Sequence, residues 1–296
     1  MAQLSSDTRA ARRGWSDITI RNVFIIPTIL FLIVFNIFPL AYSLGYSFTD
    51  FRASVNDPVT FIGLDNYREL LNNPRIWQNF VVTAKYVVVS VAGQMIVGFG
   101  LALLLNRPIP YKGLITTFLL LPMMMSMAVV GLFWKLIYDP SWGPLNYALG
   151  LGDFAWLSDP NAALFAVALT DIWMWAPFVM LLSLAGLSAV PQHLYEAAAI
   201  DRAGTWYTFT RITLPLVMPI LLIALIFRTM EAFKTFDLPY IMSGQPTTEV
   251  VSIRLYKMAF QEWQTGLSCA LAYIMLIVVL AITNIYVKYL NKVKER

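Results

Sequence analysis

The sequence predicts an all-α polytopic membrane protein with six transmembrane helices. Of its 296 residues 58% are apolar and only 13% are charged, which lies outside the usual range of soluble domains. The apolar residues stand in long blocks that reach the ~20 residues a helix needs to cross the hydrocarbon core. Lysine and arginine are divided unevenly between the segments that separate these blocks, and this gives the spans a direction.

Six apolar blocks, taken in chain order, are each predicted to form one transmembrane helix. They are 23–46, 80–105, 114–137, 162–189, 216–236 and 267–289. The chain is accordingly divided into an N-terminal segment (1–22), a first transmembrane helix (23–48), a loop (49–79), a core with five transmembrane helices (80–290) and a short tail (291–296). The core includes a polar loop at 191–214, which separates the fourth and fifth helices.

The orientation follows from the basic residues that flank the blocks. Twelve of them lie in the N-terminal segment, the tail and the second and fourth connections, and six lie in the other connections. Because basic residues concentrate on the cytoplasmic side, both termini and the 191–214 loop are expected to be cytoplasmic. An even number of spans fits this arrangement.

Several kinds of chemistry have no support in the sequence. It contains no glycine-rich phosphate loop of the form Gly-x-x-x-x-Gly-Lys-Ser/Thr, so no cofactor is expected in this chain. With one histidine (His193) and one cysteine (Cys269), no cluster has metal-ligand spacing, and no nucleophile has an obvious base. A net charge of +4 is not typical of nucleic-acid binding. Transport or a channel is favoured, and a membrane-embedded enzyme is the weakest alternative.

Ionisable residues at membrane depth indicate a polar feature inside the fifth span. Arg228, Glu231 and Lys234 follow one another at spacings of three, and Phe233 and Asp237 accompany them. Such spacing places charged groups on neighbouring turns of one helix face. We interpret the set as part of the wall of a translocation path, since charges within a bilayer usually face a cavity or a partner. A structural ion-pair ladder between helices is the alternative.

Three further residues are candidates for contact with a solute. Lys85, in the second span, is more typical of an interface anchor, although a cavity cation for an anionic group is the alternative. Trp173 and Trp175 are two residues apart in the fourth span and therefore point to different sides. One of them is a candidate for stacking on a sugar ring, and a place in the interfacial aromatic belt is equally compatible.

The polar segment between the fourth and fifth spans predicts a short helix-turn-helix at the membrane surface. Its start, Glu196-Ala197-Ala198, favours helix, and Gly204 is expected to end that helix. Thr205 is expected to cap a second helix that runs toward Pro215. The segment would offer Glu196, Asp201 and Arg202 to something outside the bilayer.

Glu196-Ala197-Ala198 followed by Ile212-Thr213-Leu214-Pro215 resembles the EAA loop of the membrane subunits of bacterial ABC importers. The stretches 38–43, 61–67 and 233–237 (Phe-Lys-Thr-Phe-Asp) are similar to sugar-uptake permeases related to the maltose-transporter membrane subunits. The resemblance implies a type I ABC importer permease fold and ATP-driven, binding-protein-dependent import of a carbohydrate or carbohydrate derivative. A stand-alone secondary transporter or channel is the other function considered. The implied ATPase-coupling residues are Glu196, Ala197, Ala198, Asp201, Arg202, Gly204, Leu214 and Pro215.

The resemblance also implies an assembly in the bacterial inner membrane. Its members would be this chain, a second permease subunit, an extracytoplasmic solute-binding protein and two ATP-binding cassette subunits, which would bind ATP and Mg. One departure concerns the coupling loop, because Arg202 stands where the family usually has glycine and Gly204 follows two positions later. This predicts a turn that is shifted or differently shaped.

Overall fold

The structure is a computed structural model that describes residues 16–54 and 57–294, and these are predominantly helical. Within these ranges the only β pairing is an isolated antiparallel bridge between Thr49 and Phe61. The predicted all-α class is confirmed. Most of the predicted N-terminal segment, with Arg9, Arg12 and Arg13, lies outside the described residues, as does Arg296 of the tail.

Five helical segments of the described chain are long and apolar enough to cross a membrane. They are Arg21–Ser47, Pro74–Leu105, Ala163–Ser188, Thr205–Phe233 and Thr265–Val293. A sixth crossing exists if two shorter helices, α5 (Lys112–Met124) and α6 (Met127–Ile137), are counted as one span. The described residues therefore contain five continuous spans, or six if the bent pair is one interrupted span, against the six that the sequence predicts.

The third predicted span is not one straight helix, which corrects the expectation for 114–137. Helices α5 and α6 are bent by 97° at a short break. Met125 and Ser126 adopt extended conformations there, and the Ser126 hydroxyl accepts a hydrogen bond from the Val129 N–H at 3.3 Å. Ser126 thus caps a new helix instead of continuing the old one.

The first span consists of α1 (Asp17–Leu32), one wide π-helical turn (Ile33–Ile37) and α2 (Phe38–Ser47). Its C-terminal end is tied to the rest of the chain, since the Asn66 amide donates to the carbonyls of Ser47 (2.9 Å) and Thr49 (2.8 Å). The rest of this span, from 23 to 42, is exposed.

The centre of the bundle is formed by α4 (Pro74–Leu105), α8 (Ala163–Ser188) and α11 (Leu214–Phe233), of which α4 and α8 share the most extensive contact. Gly98 permits their close approach, because a Cβ there would lie 2.5 Å from the Ala176 carbonyl oxygen and 2.6 Å from the Val179 Cβ. The last helix, α14 (Thr265–Lys294), packs against α11 and α2.

Shorter helices connect the spans. Outside the coupling region they are α3 (Asp65–Asn72), α7 (Pro144–Leu149), α12 (Asp237–Met242), a 3-10 turn (Pro246–Thr248) and α13 (Val251–Tyr256), which continues as a π-helical turn (Lys257–Gln261). Helix α4 begins at Pro74, six residues before the predicted start of the second span, because Asn73 caps it by accepting from the Arg75 N–H at 3.0 Å.

An ion-pair cluster ties α4 to the segment before α13. Glu249 is 4% exposed and accepts hydrogen bonds from Lys257 at 2.8 Å and Arg75 at 3.1 Å. Burial disfavours the charged form of Glu249, but the bonds from Lys257 and Arg75 outweigh it, so the pKa of this carboxyl lies below its ordinary value.

Candidate coupling segment and membrane midsection

The coupling segment, defined as residues 191–214, contains two short helices, α9 (Gln192–Ile200) and α10 (Thr205–Thr208). Within helix α9 Ala198 is buried, at 7% exposed, and Glu196 and Ala197 are exposed. A hydrogen bond of 3.1 Å between the hydroxyls of Tyr195 and Thr213 joins the beginning of the segment to its end. The predicted helix-turn-helix is therefore present.

The turn between the two helices is closed by backbone bonds. The Ala203 N–H donates to the Ala198 carbonyl at 2.9 Å, and the Arg202 N–H donates to the Ala199 carbonyl at 3.1 Å. These two bonds define a Schellman motif, in which the residue after the helix cap adopts a left-handed conformation. That residue is Arg202, with a φ of +54°. An L-residue in this region costs roughly 1–2 kcal/mol, because its Cβ approaches the following carbonyl.

Two expectations for this turn are corrected. Gly204 does not end α9, because its φ is −66° and it stands as the residue before α10, in the place predicted for Thr205. The turn is also not shifted, since the left-handed residue falls at Arg202, the position where glycine was expected. The two Schellman bonds determine which position is left-handed, and this position is the same with arginine as it is expected to be with glycine.

The coupling segment continues into α11 without a break. A π-helical turn, Phe209–Thr213, leads into Leu214, and Pro215, which has no N–H to donate, follows this wide turn directly as the second residue of α11. Asp201 and Arg202 are both exposed. A cleft of about 780 Å³ separates the segment from the end of α4 at Asn106 and Arg107.

Deep in the bundle, three side chains from three helices form what we term the midsection network: Gln94 of α4, Asp171 of α8 and Arg228 of α11. The Gln94 amide nitrogen donates to Asp171 Oδ2 at 2.7 Å, and Arg228 Nε donates to Gln94 Oε1 at 2.7 Å. An Arg228 guanidinium nitrogen lies 3.6 Å from Asp171 Oδ1. All three residues are at most 3% exposed, so each charge is neutralised inside the protein.

Other side chains surround the network. The Arg228 guanidinium lies 4.4 Å from the centroid of the Trp175 ring, a cation–π contact. The hydroxyls of Tyr86 and Ser90 are buried close by on the α4 side and lie near the Asp171 carboxylate. Trp173 points elsewhere and meets Trp134 edge to face, with ring centroids 5.5 Å apart. The two tryptophans therefore serve different sides of α8, as their spacing predicts.

The charged residues that follow Arg228 have a different environment. Glu231 and Lys234 pair with each other at 2.9 Å, and more than half of each side chain is exposed. Phe233 between them is buried against Phe80, with ring centroids 6.3 Å apart. In this conformation Arg228 does not share one exposed wall with Glu231 and Lys234. Asp237 and Lys85 are exposed.

An aromatic ladder lies beyond the end of α11. Four rings, from Phe236, Tyr240, Tyr256 and Phe260, contact one another with centroid separations between 4.9 and 5.5 Å; Phe236 and Tyr240 are stacked, and the other pairs are tilted or edge to face. Phe236, Tyr256 and Phe260 also line a largely apolar pocket of about 320 Å³. Sequence reasoning missed this ladder, because its members come from both sides of a turn and share no single periodicity.

The apolar spans and the surface helix inserted between two of them define a polytopic transport subunit with a built-in contact segment. Comparison with known proteins makes this specific. Residues 94–295 match the family model described as "Binding-protein-dependent transport system inner membrane component", and the chain belongs to this family. This family is one of transport permeases, as predicted.

Two relatives and one solved structure illustrate the family. The chain is 35% identical to the trehalose/maltose transport system permease protein MalF of Thermococcus litoralis, over 89% of this chain and 91% of the relative. It is 32% identical to the sulfoquinovosyl glycerol transport system permease protein SmoG of Agrobacterium fabrum, over 94% and 93%. A chain from the crystal structure of a bacterial alginate ABC transporter in complex with an alginate pentasaccharide-bound periplasmic protein superposes with a TM-score of 0.79 at 24% identity, over 93% and 96%. This likeness confirms the ABC importer permease fold.

Proposed function

We propose that this chain is the membrane subunit of an ATP-driven importer of a carbohydrate or carbohydrate derivative in the bacterial inner membrane, and that its coupling segment receives the motion of an ATPase partner. The observation that carries the proposal is the geometry of α9. Ala198 is buried and the Tyr195 hydroxyl is bonded to that of Thr213, next to the start of α11, while Glu196 and Ala197 on the same helix remain exposed. A surface held in this way can be pushed without unfolding the spans on either side of it.

The proposed partners follow from what the chain does not contain. Its sequence has no phosphate-binding loop, so ATP and Mg would be bound by two ATP-binding cassette subunits. A second permease subunit would form the other half of the pathway, and an extracytoplasmic binding protein would deliver the solute. Both chain termini and the coupling segment would lie in the cytoplasm, in agreement with the distribution of basic residues.

The proposal that the solute is a carbohydrate has two supports. The relatives named above are trehalose/maltose and sulfoquinovosyl glycerol permeases. In addition, the aromatic ladder offers ring faces and phenol hydroxyls, and Tyr240 is 39% exposed and Phe260 62% exposed. Aromatic rings pack well against the C–H faces of sugar rings, while hydroxyls bond to sugar oxygens.

We place the translocation path along the exposed members of the predicted set. Glu231, Lys234 and Asp237 are exposed beside the aromatic ladder and would supply polar contacts. Three other predicted residues would lie behind these exposed side chains and would not face the path in the present conformation. Arg228 and Phe233 are buried, and Trp175 covers the Arg228 guanidinium. Lys85 and Trp173 lie outside this group and remain predictions.

The decisive test reverses the charge of Glu196. Glu196→Lys is expected to abolish copurification of the ATPase subunits or to reduce ATP-dependent uptake about tenfold or more, because a charge reversal at a desolvated contact costs several kcal/mol. The spans stay inserted, since Glu196 is exposed. The measurements are pull-down of the complex and radiolabelled trehalose uptake into liposomes.

A matched control reverses an exposed carboxylate far along the chain. Glu69→Lys in α3 should leave the copurification of ATPase subunits unchanged. Unaltered assembly and uptake in Glu196→Lys would count against the coupling role. Solute uptake by the purified chain alone, with no ATPase present, would favour a stand-alone transporter instead.

A further inference from the structure

The midsection network connects the helices on either side of the coupling segment. Helix α8 leads into that segment and α11 leaves it, and both pack against α4. Asp171, Arg228 and Gln94 therefore join the entry helix, the exit helix and their common neighbour at one level of the bundle. No other ion pair in the described residues links these helices to one another.

The network resists both sliding and separation of the helices. Each of the two hydrogen bonds is 2.7 Å long, and both acceptors belong to a different helix from their donors. Moving one helix away would leave a charged group buried without its partner, which is strongly unfavourable. An apolar contact, by contrast, can slip by exchanging one methyl contact for another.

The inner ends of α8 and α11 also meet closely. Gly186 lies against α11, where a Cβ would be 3.1 Å from Val217 Cγ1 and 3.2 Å from Ile220 Cδ1. The two helices are thus held together near the coupling segment by shape and deeper in the bundle by charge. A displacement applied to α9 meets a pair of helices that cannot separate at either level.

We propose that Asp171 and Arg228 are positioning residues of transport, which with Gln94 make α4, α8 and α11 a single rigid body. Through this body a displacement of the coupling segment reaches the half of the bundle beyond the network. The inference rests on the proposed function, in which that displacement comes from an ATPase partner. The network residues act through helix position and do not contact the solute.

The test removes the network without leaving a buried charge. The variant Gln94→Leu/Asp171→Leu/Arg228→Met replaces all three polar groups by apolar ones of similar size, a kind of change that often preserves stability. In the complete complex reconstituted in liposomes, the melting temperature and ATP hydrolysis should stay near those of the parent. The uptake of radiolabelled trehalose per ATP hydrolysed should fall about tenfold, since the coupling between the two sites is lost.

A second readout needs no solute. Spin labels at Phe165 of α8 and Phe227 of α11, which are 52% and 55% exposed, report the separation of these two helices after Cys269→Ser removes the natural thiol. In the complex with the intact network, the label distance should be the same without nucleotide and with ATP plus vanadate. In the triple variant the distance should change when nucleotide is added.

Thr170→Val is the matched control, because Thr170 is a buried polar residue beside Asp171 that takes no part in the network. It should keep both the coupling ratio and the constant label distance. If the triple variant does not assemble, Asp171→Asn weakens the network at nearly constant shape, and its label distance should respond to nucleotide.

The outcomes separate the two proposals. The network inference alone is wrong if the triple variant is stable, keeps a constant label distance and retains the parental uptake per ATP. If only Asp171→Asn assembles, a constant label distance in that variant overturns the network inference. If the ATPase subunits do not copurify with the unmodified chain, the proposed function is wrong.

Discussion

The midsection network and the coupling segment hold their parts together in opposite ways. The network uses side chains from three helices, all of them buried. The coupling segment uses bonds between its own residues, most of them backbone bonds, and Glu196, Asp201 and Arg202 stay exposed. Inside a bilayer no water is present to satisfy a polar group, so partners must come from other helices. At the surface local bonds suffice, and side chains remain available for another molecule.

The largest expected effect breaks the network at one residue. Asp171→Ala leaves Arg228 buried without a counter-charge and should lower the free energy of unfolding by about 3–5 kcal/mol. Denaturant titration of the chain in detergent micelles measures this. Asp237→Ala, which removes an exposed carboxylate, should change it by less than about 0.5 kcal/mol. Equal free energies of unfolding for the two variants would mean that the network does not stabilise the fold.

A smaller effect is expected at the contact between α4 and α8. Gly98→Ala would bring a Cβ to 2.5 Å from the Ala176 carbonyl, so the helices must move apart. The same titration should give a loss of roughly 1–3 kcal/mol. Gly100→Ala is the control, because no atom lies within 4 Å of a Cβ there, and it should be neutral or slightly stabilising. The opposite ranking would contradict the close approach.

The smallest effect sharpens the description of the coupling segment. Arg202→Gly relieves the left-handed strain but adds freedom to the unfolded chain, so a net gain of about 0.5–1 kcal/mol is expected. Thermal melting of the purified chain checks the sign. Gly204→Ala should have almost no effect, because φ is −66° and no atom lies within 4 Å of a Cβ there. A loss in Arg202→Gly would assign a stabilising contact to the arginine side chain.

The spans and the coupling segment were predictable because their signals are local. A block of apolar residues specifies a membrane helix wherever it stands, and an alanine-rich polar interval specifies a surface helix. The break at Ser126 was missed, because apolar residues continue on both sides of it and hydropathy carries no information about helix direction.

The network was not predictable for a different reason. Arg228 stood out as a charge in an apolar helix, but its partnership with Asp171 depends on how distant segments pack. Gln94 was missed, although Tyr86, Ser90 and Gln94 recur every four residues along one face of α4. Such a polar stripe on an apolar helix is a signal for buried partners. The spacing of three residues also suggested that Arg228 and Glu231 share one environment. Glu231 follows Arg228 by about one turn, but its side chain is exposed.

The attachment of the first span has a mechanical consequence. It is held at one end, where Asn66 binds the carbonyls of Ser47 and Thr49 and where α2 packs against α14, and its side chains are exposed along 23–42. A helix that is held mainly at one end can change its tilt about that end, so this helix can match a thicker or thinner bilayer. The central helices need not repack for that adjustment, and the fit to the lipid is mechanically separate from the machinery of transport.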